Sequence, residues 1–238
     1  MKNTFVFLYP ENEIFEHEIG EGSYKFSKEW EKEKARIFKH LLKSAKTEEE
    51  KKAIRNKAIK DRDNFFRPIY KKALNECIDL RYRINGFEIV YALLDGEPLS
   101  DIIVSHPQDR IIYAGMDALT HHTQKPDGTY PYPDQDYILN QLGSPDHLRV
   151  AGFHVWDCVE KLARRAHERG INVLVDEDLT ELFTMRMKTE GFDISQYPGY
   201  NPRLEGKHFF EMFMEPRRGV PWLWQDYPEV GELPKVGK

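Results

Sequence analysis

Cysteine is scarce in this chain, since only Cys77 and Cys158 occur among its 238 residues. Two cysteines exclude the disulfide framework that stabilises many small secreted domains. No CxxC pair is present, so a structural zinc site is not expected either. Each cysteine is therefore a small buried residue or a reactive thiol. We expect no metal ion and no other cofactor.

Long apolar runs are also absent, and no run approaches the roughly 20 residues that a membrane span needs. The first residues, MKNTFVFLYPENEIF, have a short apolar stretch that leads straight into acids, unlike a signal peptide. We therefore expect a cytoplasmic protein with no membrane partner. The formal net charge of −5 disfavours a general nucleic-acid coat, so nucleic acid is not an expected partner.

The chain does contain the apolar content of a globular domain, with 40% hydrophobic and 13% aromatic residues. Several apolar runs lack clean alternation, which is typical of strands covered by helices on both faces. The predicted strands are TFVFLY (4–9), FEIVYALLDG (87–96), DRIIYAGM (109–116), LRVAGF (148–153) and INVLV (171–175).

Residues 27–82 have a helical pattern between the first two strands. Thr47 and Glu50 have the spacing of a capping box, and Pro68 is predicted to start or kink a further helix. Cys77 falls among apolar helix positions and is predicted to be core. The Lys- and Arg-rich stretch 51–72 is interpreted as a solvated helix face rather than a nucleic-acid patch.

Residues 117–135 predict an ordered loop because proline, glycine and tyrosine are dense there. The next segment, 148–178, predicts a strand, a helix with an Asp157–Glu160 capping box, and a second strand. Such a crossover favours a parallel sheet. We predict a three-layer α/β/α domain over residues 1–190 with a central parallel sheet and the helical insertion 27–82. An irregular C-terminal extension, 191–238, is expected to pack on the core or on a partner subunit.

The segment LRVAGFHVWDCVEKLARRAHERGINVLVDED is similar to the late strand–helix–strand segment of isochorismatase-like hydrolases and nicotinamidases. In that family an apolar strand and a glycine precede a Cys-Val pair, and alanines, a helix-ending glycine and a Val-rich strand closing on Asp follow. These features agree without a gap over about thirty residues. They fall on Gly152, Cys158-Val159, Ala163, Ala166, Gly170, Val173, Val175 and Asp178.

The resemblance implies a parallel-sheet α/β fold, assembly into dimers or larger homo-oligomers, and a nucleophilic role for Cys158. It also implies an Asp general base after the first strand and a Lys after the strand 109–116. Pro10 stands at the Asp position here, and Ala114-Gly115 stand where the Lys is expected. Glu11 becomes the candidate base if the strand end is shifted by one residue.

The position of Cys158 at a helix N-terminus independently favours a reactive thiol, because unpaired N–H groups and the helix dipole stabilise a thiolate. The same N–H groups can bind a developing oxyanion. Asp157 opposes this effect, since its negative charge repels a thiolate. Four residues near the ends of the predicted strands are expected to bind substrate: Phe153, His154, Asp157 and Asp117.

Three functions are compatible with these residues. The first is hydrolysis of a small-molecule amide or related bond through a Cys158 thioester. The second is a non-catalytic binding or scaffolding protein of the same fold. The third is a metal-dependent nuclease resembling the PIN and NYN domains, whose acids at the ends of parallel strands hold magnesium or manganese. Its candidate acids are Glu11, Asp95, Asp117 and Asp157.

Overall fold

A five-stranded parallel sheet forms the centre of the protein in a computed structural model that describes residues 2–12, 14–15, 28–180, 183 and 220–222. The strand order is β3-β2-β1-β4-β5, and every neighbouring pair is parallel. The strands are β1 (Asn3–Leu8), β2 (Glu88–Asp95), β3 (Arg110–Asp117), β4 (His147–Gly152) and β5 (Asn172–Thr180).

Helices occupy three of the four connections between these strands, and the connection from β2 to β3, residues 96–109, has none. Between β1 and β2 lie α1 (Lys28–Ser44) and α2 (Glu48–Arg81). Between β3 and β4 lie α3 (Ala118–His122) and α4 (Gln135–Leu142), and α5 (Glu160–Glu168) joins β4 to β5. The Thr47–Glu50 capping box is confirmed at the start of α2.

Strand β1 shows how the layers are built. Its alternate side chains Phe5 and Phe7 pack on one face with residues of α2, and Val6 and Leu8 pack on the other with residues of α4 and α5. All four are at most 1% exposed. Because both faces are buried, the strand is a continuous apolar run. The predicted three-layer α/β/α fold is confirmed.

The order of the strands defines a switch point in the sheet. The chain moves outward from β1 through β2 to β3, then returns to the other side of β1 for β4 and β5. The connections lie on opposite faces in the two halves, as crossovers of a single hand require. Ligands of open α/β sheets bind in the crevice at the carboxyl ends of the strands flanking such a point. Here the strands that flank the switch point are β1 and β4.

Three local predictions were wrong. The predicted start of a helix at Pro68 is not found, because α2 continues through this exposed residue. Residues Ala118–His122 are helical, because the Asp117 side chain accepts a hydrogen bond from the Thr120 N–H and caps them. Asp157 caps no helix, since it lies inside a π-helical turn, Val155–Val159, that leads into α5.

Of the predicted C-terminal extension, only residues 220–222 are described, and the rest lies outside the described residues. The carbonyl of Trp222 accepts a hydrogen bond from the N–H of Val175 at 2.8 Å, so this piece lies beside β5. Val220 and Trp222 pack against the core on the α5 face. Among the described residues, no helix has both the length and the apolar character for crossing a membrane.

Candidate active site

Cys158 lies at the switch point of the sheet, just beyond the end of β4. Strands β1 and β4 approach each other so closely there that a Cβ added at Gly152 would lie 2.3 Å from the Leu8 carbonyl oxygen. Gly152 also has a φ of 117°, which favours glycine. After the cis peptide bond Phe153–His154, the π-helical turn places Cys158 in the core of the α5 face. The cysteine is 4% exposed.

A titratable side chain in contact with the thiol is His121 of α3. Its Nε2 atom lies 3.9 Å from the Cys158 Sγ. Its Nδ1 atom lies 2.9 Å from the carbonyl oxygen of Pro131. Because a carbonyl only accepts, Nδ1 carries the proton and a neutral ring has its Nε2 lone pair directed to the thiol. Burial lowers the pKa of His121, which favours this neutral form.

The thiol itself is held in its protonated form. Burial, followed by the charge of Asp157, raises the pKa of Cys158 to about 12. The ammonium of Lys161 and backbone hydrogen bonds at His154 and Cys158 oppose this rise. At neutral pH the site therefore contains a thiol beside a neutral imidazole, and not a thiolate–imidazolium ion pair.

Asp157 organises the neighbouring side chains. It accepts hydrogen bonds from the Tyr132 hydroxyl and from the Lys161 ammonium. The same ammonium lies 3.6 Å from the centre of the Tyr132 ring, a cation–π contact. Burial and the bond to Asp157 raise the pKa of Tyr132, so its hydroxyl remains a donor. The result is a cation, a carboxylate and a phenol held beside the thiol.

Tyr9 lies on the β1 side of the site. Its φ of 56° is in the left-handed region, which is uncommon for an aromatic residue and often occurs at functional sites. Its ring centre is 5.9 Å from that of His121. Burial raises the pKa of Tyr9, and a negative charge on Cys158 or Glu11 raises it further. Its phenol is therefore neutral and within electrostatic reach of both groups.

Glu11, the candidate base, is 3% exposed and lies beyond the end of β1. Its carboxylate accepts a hydrogen bond from the Leu94 N–H at 2.8 Å, which ties it to β2. Glu11 acts electrostatically on Tyr9, and His121 makes the contact to the thiol.

The other predicted site residues lie in different surroundings. Asp157 adjoins Cys158, and His154 is exposed at the start of the π-helical turn. Phe153 turns to the opposite face, where its ring packs against Phe7 and Phe15. Asp117 caps α3, and that hydrogen bonding lowers its pKa. Asp117 therefore positions the helix that carries His121.

The four acids proposed for a nuclease are engaged in separate hydrogen bonds, although Asp95 and Asp117 are paired in register at the ends of β2 and β3. Glu11 accepts from the Leu94 N–H, Asp95 from the Gly115 N–H, and Asp117 from Thr120. Asp157 is engaged by Tyr132 and Lys161. Within the described part of the chain, no group of three or more His, Cys, Asp or Glu side chains could hold a metal ion.

The positions expected for the family's Lys offer no room for one. Ala114 is 1% exposed in the core, and a Cβ at Gly115 would lie 2.9 Å from the Tyr137 ring. The cation that acts on the thiol comes instead from Lys161 of α5. In the sequence this ion pair is recognisable because Lys161 follows Asp157 by four residues, the spacing of side chains that meet on a helix. Tyr132 gave no such signal, because it comes from a segment predicted to be loop, and the sequence marks His121 only as one of two adjacent histidines.

Comparison of the chain with family models, with curated proteins and with solved structures found no match in any of the three.

Proposed function

We propose that the protein is an isochorismatase-like hydrolase with an altered active site. In this proposal Cys158 attacks an amide or related bond of a small molecule, and His121 accepts the thiol proton. The supporting observation is the 3.9 Å contact between Cys158 Sγ and His121 Nε2 at the switch point of the sheet. A nucleophile beside a base that a third group orients is the usual arrangement for covalent catalysis.

The neutral state of the pair determines the order of events. Proton transfer to His121 Nε2 accompanies the attack of sulfur on the carbonyl carbon, because a free thiolate is disfavoured beforehand. An S–C bond forms, the C–N bond breaks, and His121 returns the proton to the leaving amine. Water, activated by His121, then attacks the thioester and releases the acid and the thiol. The Pro131 carbonyl holds the ring in the required orientation throughout.

A trapped acyl-enzyme tests this proposal. The full-length protein is incubated with p-nitrophenyl acetate and with a panel of small amides, and intact mass is then measured. We expect an acyl adduct that peptide mapping locates at Cys158. His121→Gln should slow its formation by about 10²–10⁴-fold, the usual contribution of a general base. A Cys158→Ala variant that hydrolyses the same substrates at the wild-type rate would contradict the proposal.

A specific observation also favours the non-catalytic alternative. Cys158 is 4% exposed and burial raises its pKa to about 12, which is typical of an unreactive thiol. A binding or scaffolding protein should show neither an acyl adduct nor turnover. It should still bind small ligands at the switch point, with a gain in melting temperature.

Homo-oligomer formation is a further part of the proposal, and it rests on the family resemblance. Light scattering during size-exclusion chromatography should give a mass of at least twice that of the 28.1 kDa chain. A mass of one chain at micromolar concentration would contradict it.

A further inference from the structure

Helix α1 and the first half of α2 form a helical hairpin, because only residues 45–47 connect them. The contact between the two helices is marked by half-buried side chains in a largely exposed region. These are Phe38, Leu42 and Ala45 on one side, and Lys51, Ile54 and Ala58 on the other. The positions of these side chains on each helix show which of the remaining residues lie on one side of the contact and which lie on the other.

Five basic residues lie on the same side of the hairpin. On α1, Arg36, Lys39 and Lys43 are spaced by three and four residues, so they form one stripe. On α2, Lys52 and Arg55 are also three apart. Successive residues of a helix are rotated by about 100° around its axis. Because the two helices run in opposite directions, the stripe beside the contact on α1 and the matching stripe on α2 face the same surface of the hairpin. We call these five residues the basic face.

The cations of the basic face differ from those around the sheet. All five are exposed, and none forms an ion pair with a described residue. Around the sheet, by contrast, Arg110 pairs with Glu88 and Arg165 pairs with Asp136. Residues 36–57 contain eight Lys and Arg but three Asp and Glu, although the whole chain carries −5. The hairpin therefore concentrates positive charge, which Glu48, four residues before Lys52 and within electrostatic reach of Arg55, offsets in part.

We propose that the basic face binds the phosphate backbone of duplex nucleic acid. Arg36 and Lys43 are seven residues apart, which is about 10 Å along a helix at roughly 1.5 Å per residue. A duplex carries one phosphate per roughly 1.7 Å of its axis, so about six phosphates lie along that length. Cations that neutralise them release bound counterions, which supplies affinity that does not depend on base sequence. The net charge of the whole chain does not reveal this local positive charge, because acidic residues elsewhere outweigh it.

The salt dependence of binding tests the proposal. Affinity of the full chain for labelled 20-base-pair DNA and RNA duplexes is measured by fluorescence anisotropy at several salt concentrations. Five phosphate contacts predict a slope of about −4.5 for the logarithm of affinity against that of salt, at roughly −0.9 per contact. In the variant Lys39→Gln/Lys43→Gln the slope should become shallower by about 1.8.

A matched control comes from the same hairpin. Lys57 and Lys60 are exposed on the other side of the contact between the helices, so Lys57→Gln/Lys60→Gln removes the same charge. This control should keep the wild-type slope, and circular dichroism should show an unchanged helix content in both variants. Absence of binding to either duplex at low salt would overturn the proposal, as would an equal loss in both variants. Competition by polyglutamate as strong as that by unlabelled duplex would overturn it too, and would indicate an acidic protein partner.

Discussion

At the scale of single residues, Asp157 has two opposing effects on the candidate nucleophile. It positions Tyr132 and Lys161 beside the thiol, yet its charge helps to raise the pKa of Cys158 to about 12. Such an arrangement keeps the thiol protonated until a base removes its proton.

Replacing Asp157 by Asn should lower the pKa of Cys158, because the negative charge that disfavours the thiolate is removed. A charge at this range shifts a pKa by about one unit, which corresponds to about tenfold more thiolate at a fixed pH. The absorbance of the thiolate near 240 nm at pH 10, corrected with the matching Cys158→Ser protein, measures the change. Asp127→Asn is the control, since Asp127 bonds only within its own turn to Thr129. An unchanged or smaller thiolate fraction would contradict the assignment.

Gly152 is the residue that lets β1 and β4 meet at the site. Gly152→Ala should destabilise the protein by about 1–3 kcal/mol beyond the cost of an unfavourable φ, because its Cβ would overlap the Leu8 backbone. Gly170→Ala is the control, since Gly170 also has a positive φ but nothing lies within 4 Å of a Cβ there. Chemical denaturation of both variants gives the comparison. Equal destabilisation would show that the close approach has no energetic consequence.

At the scale of elements, a buried ion pair joins the end of α2 to β5. Arg81 donates to both carboxylate oxygens of Asp176, at 2.6 and 2.7 Å, and both residues are 0% exposed. The Tyr82 hydroxyl donates to the same carboxylate. This contact fixes the long helix of one layer to an outer strand of the sheet.

Removing one partner of this pair should be costly. Arg81→Met leaves a buried carboxylate without its cation, and we expect a loss of about 3–5 kcal/mol in the free energy of unfolding. Arg165→Met is the control, because the pair of Arg165 with Asp136 is exposed and such pairs contribute about 1 kcal/mol or less. Urea unfolding should separate the two variants by at least about 2 kcal/mol. Similar values would mean that the Arg81 pair is not a fixed contact.

Helix α3 has only five residues, so its cap determines how firmly it holds His121. Asp117→Ala should loosen the helix and let water reach the imidazole. Since burial lowers the pKa of His121, the pKa should then rise toward 6.5. Proton NMR of the ring measures it. Asp134→Ala, which removes the cap of α4, should leave the pKa of His121 unchanged. The role assigned to Asp117 fails if the two variants behave alike.

At the scale of the whole molecule, the sheet was predictable from sequence because each strand is a separate apolar run. Boundaries agreed to within one or two residues at most strand ends, and the crossover 148–178 fixed the parallel arrangement. Pro68 suggested the start of a separate helix, since proline is tolerated best in the first turn, but here it lies within α2 on an exposed surface. The continuation of β5 through Asp176 was also missed, because acids are rare in strands and this one is neutralised by Arg81.

The site was less predictable, because its residues are distant in sequence. Cys158, Asp157 and Lys161 come from one turn and helix, but His121 and Tyr132 belong to the connection between β3 and α4. That connection reaches the thiol only because β4 returns to lie beside β1. No local pattern encodes this contact, so sequence reasoning assigned the base to Glu11, the nearest acid after β1.

The function of His121 as base of the thiol is the central claim, and the pH profile of Cys158 alkylation tests it most directly. The rate of iodoacetamide labelling at Cys158, located by peptide mass spectrometry, is measured from pH 5 to 10 in the wild type and in His121→Gln. Below the lowered pKa of His121 the imidazole is protonated and accepts no proton; above it the ring is a base. The wild type should therefore rise through a midpoint below pH 6.5 to a plateau, and His121→Gln should lose that plateau by at least about 10²-fold. A rate that climbs tenfold per pH unit without a plateau, and is equal in both proteins, would contradict the claim.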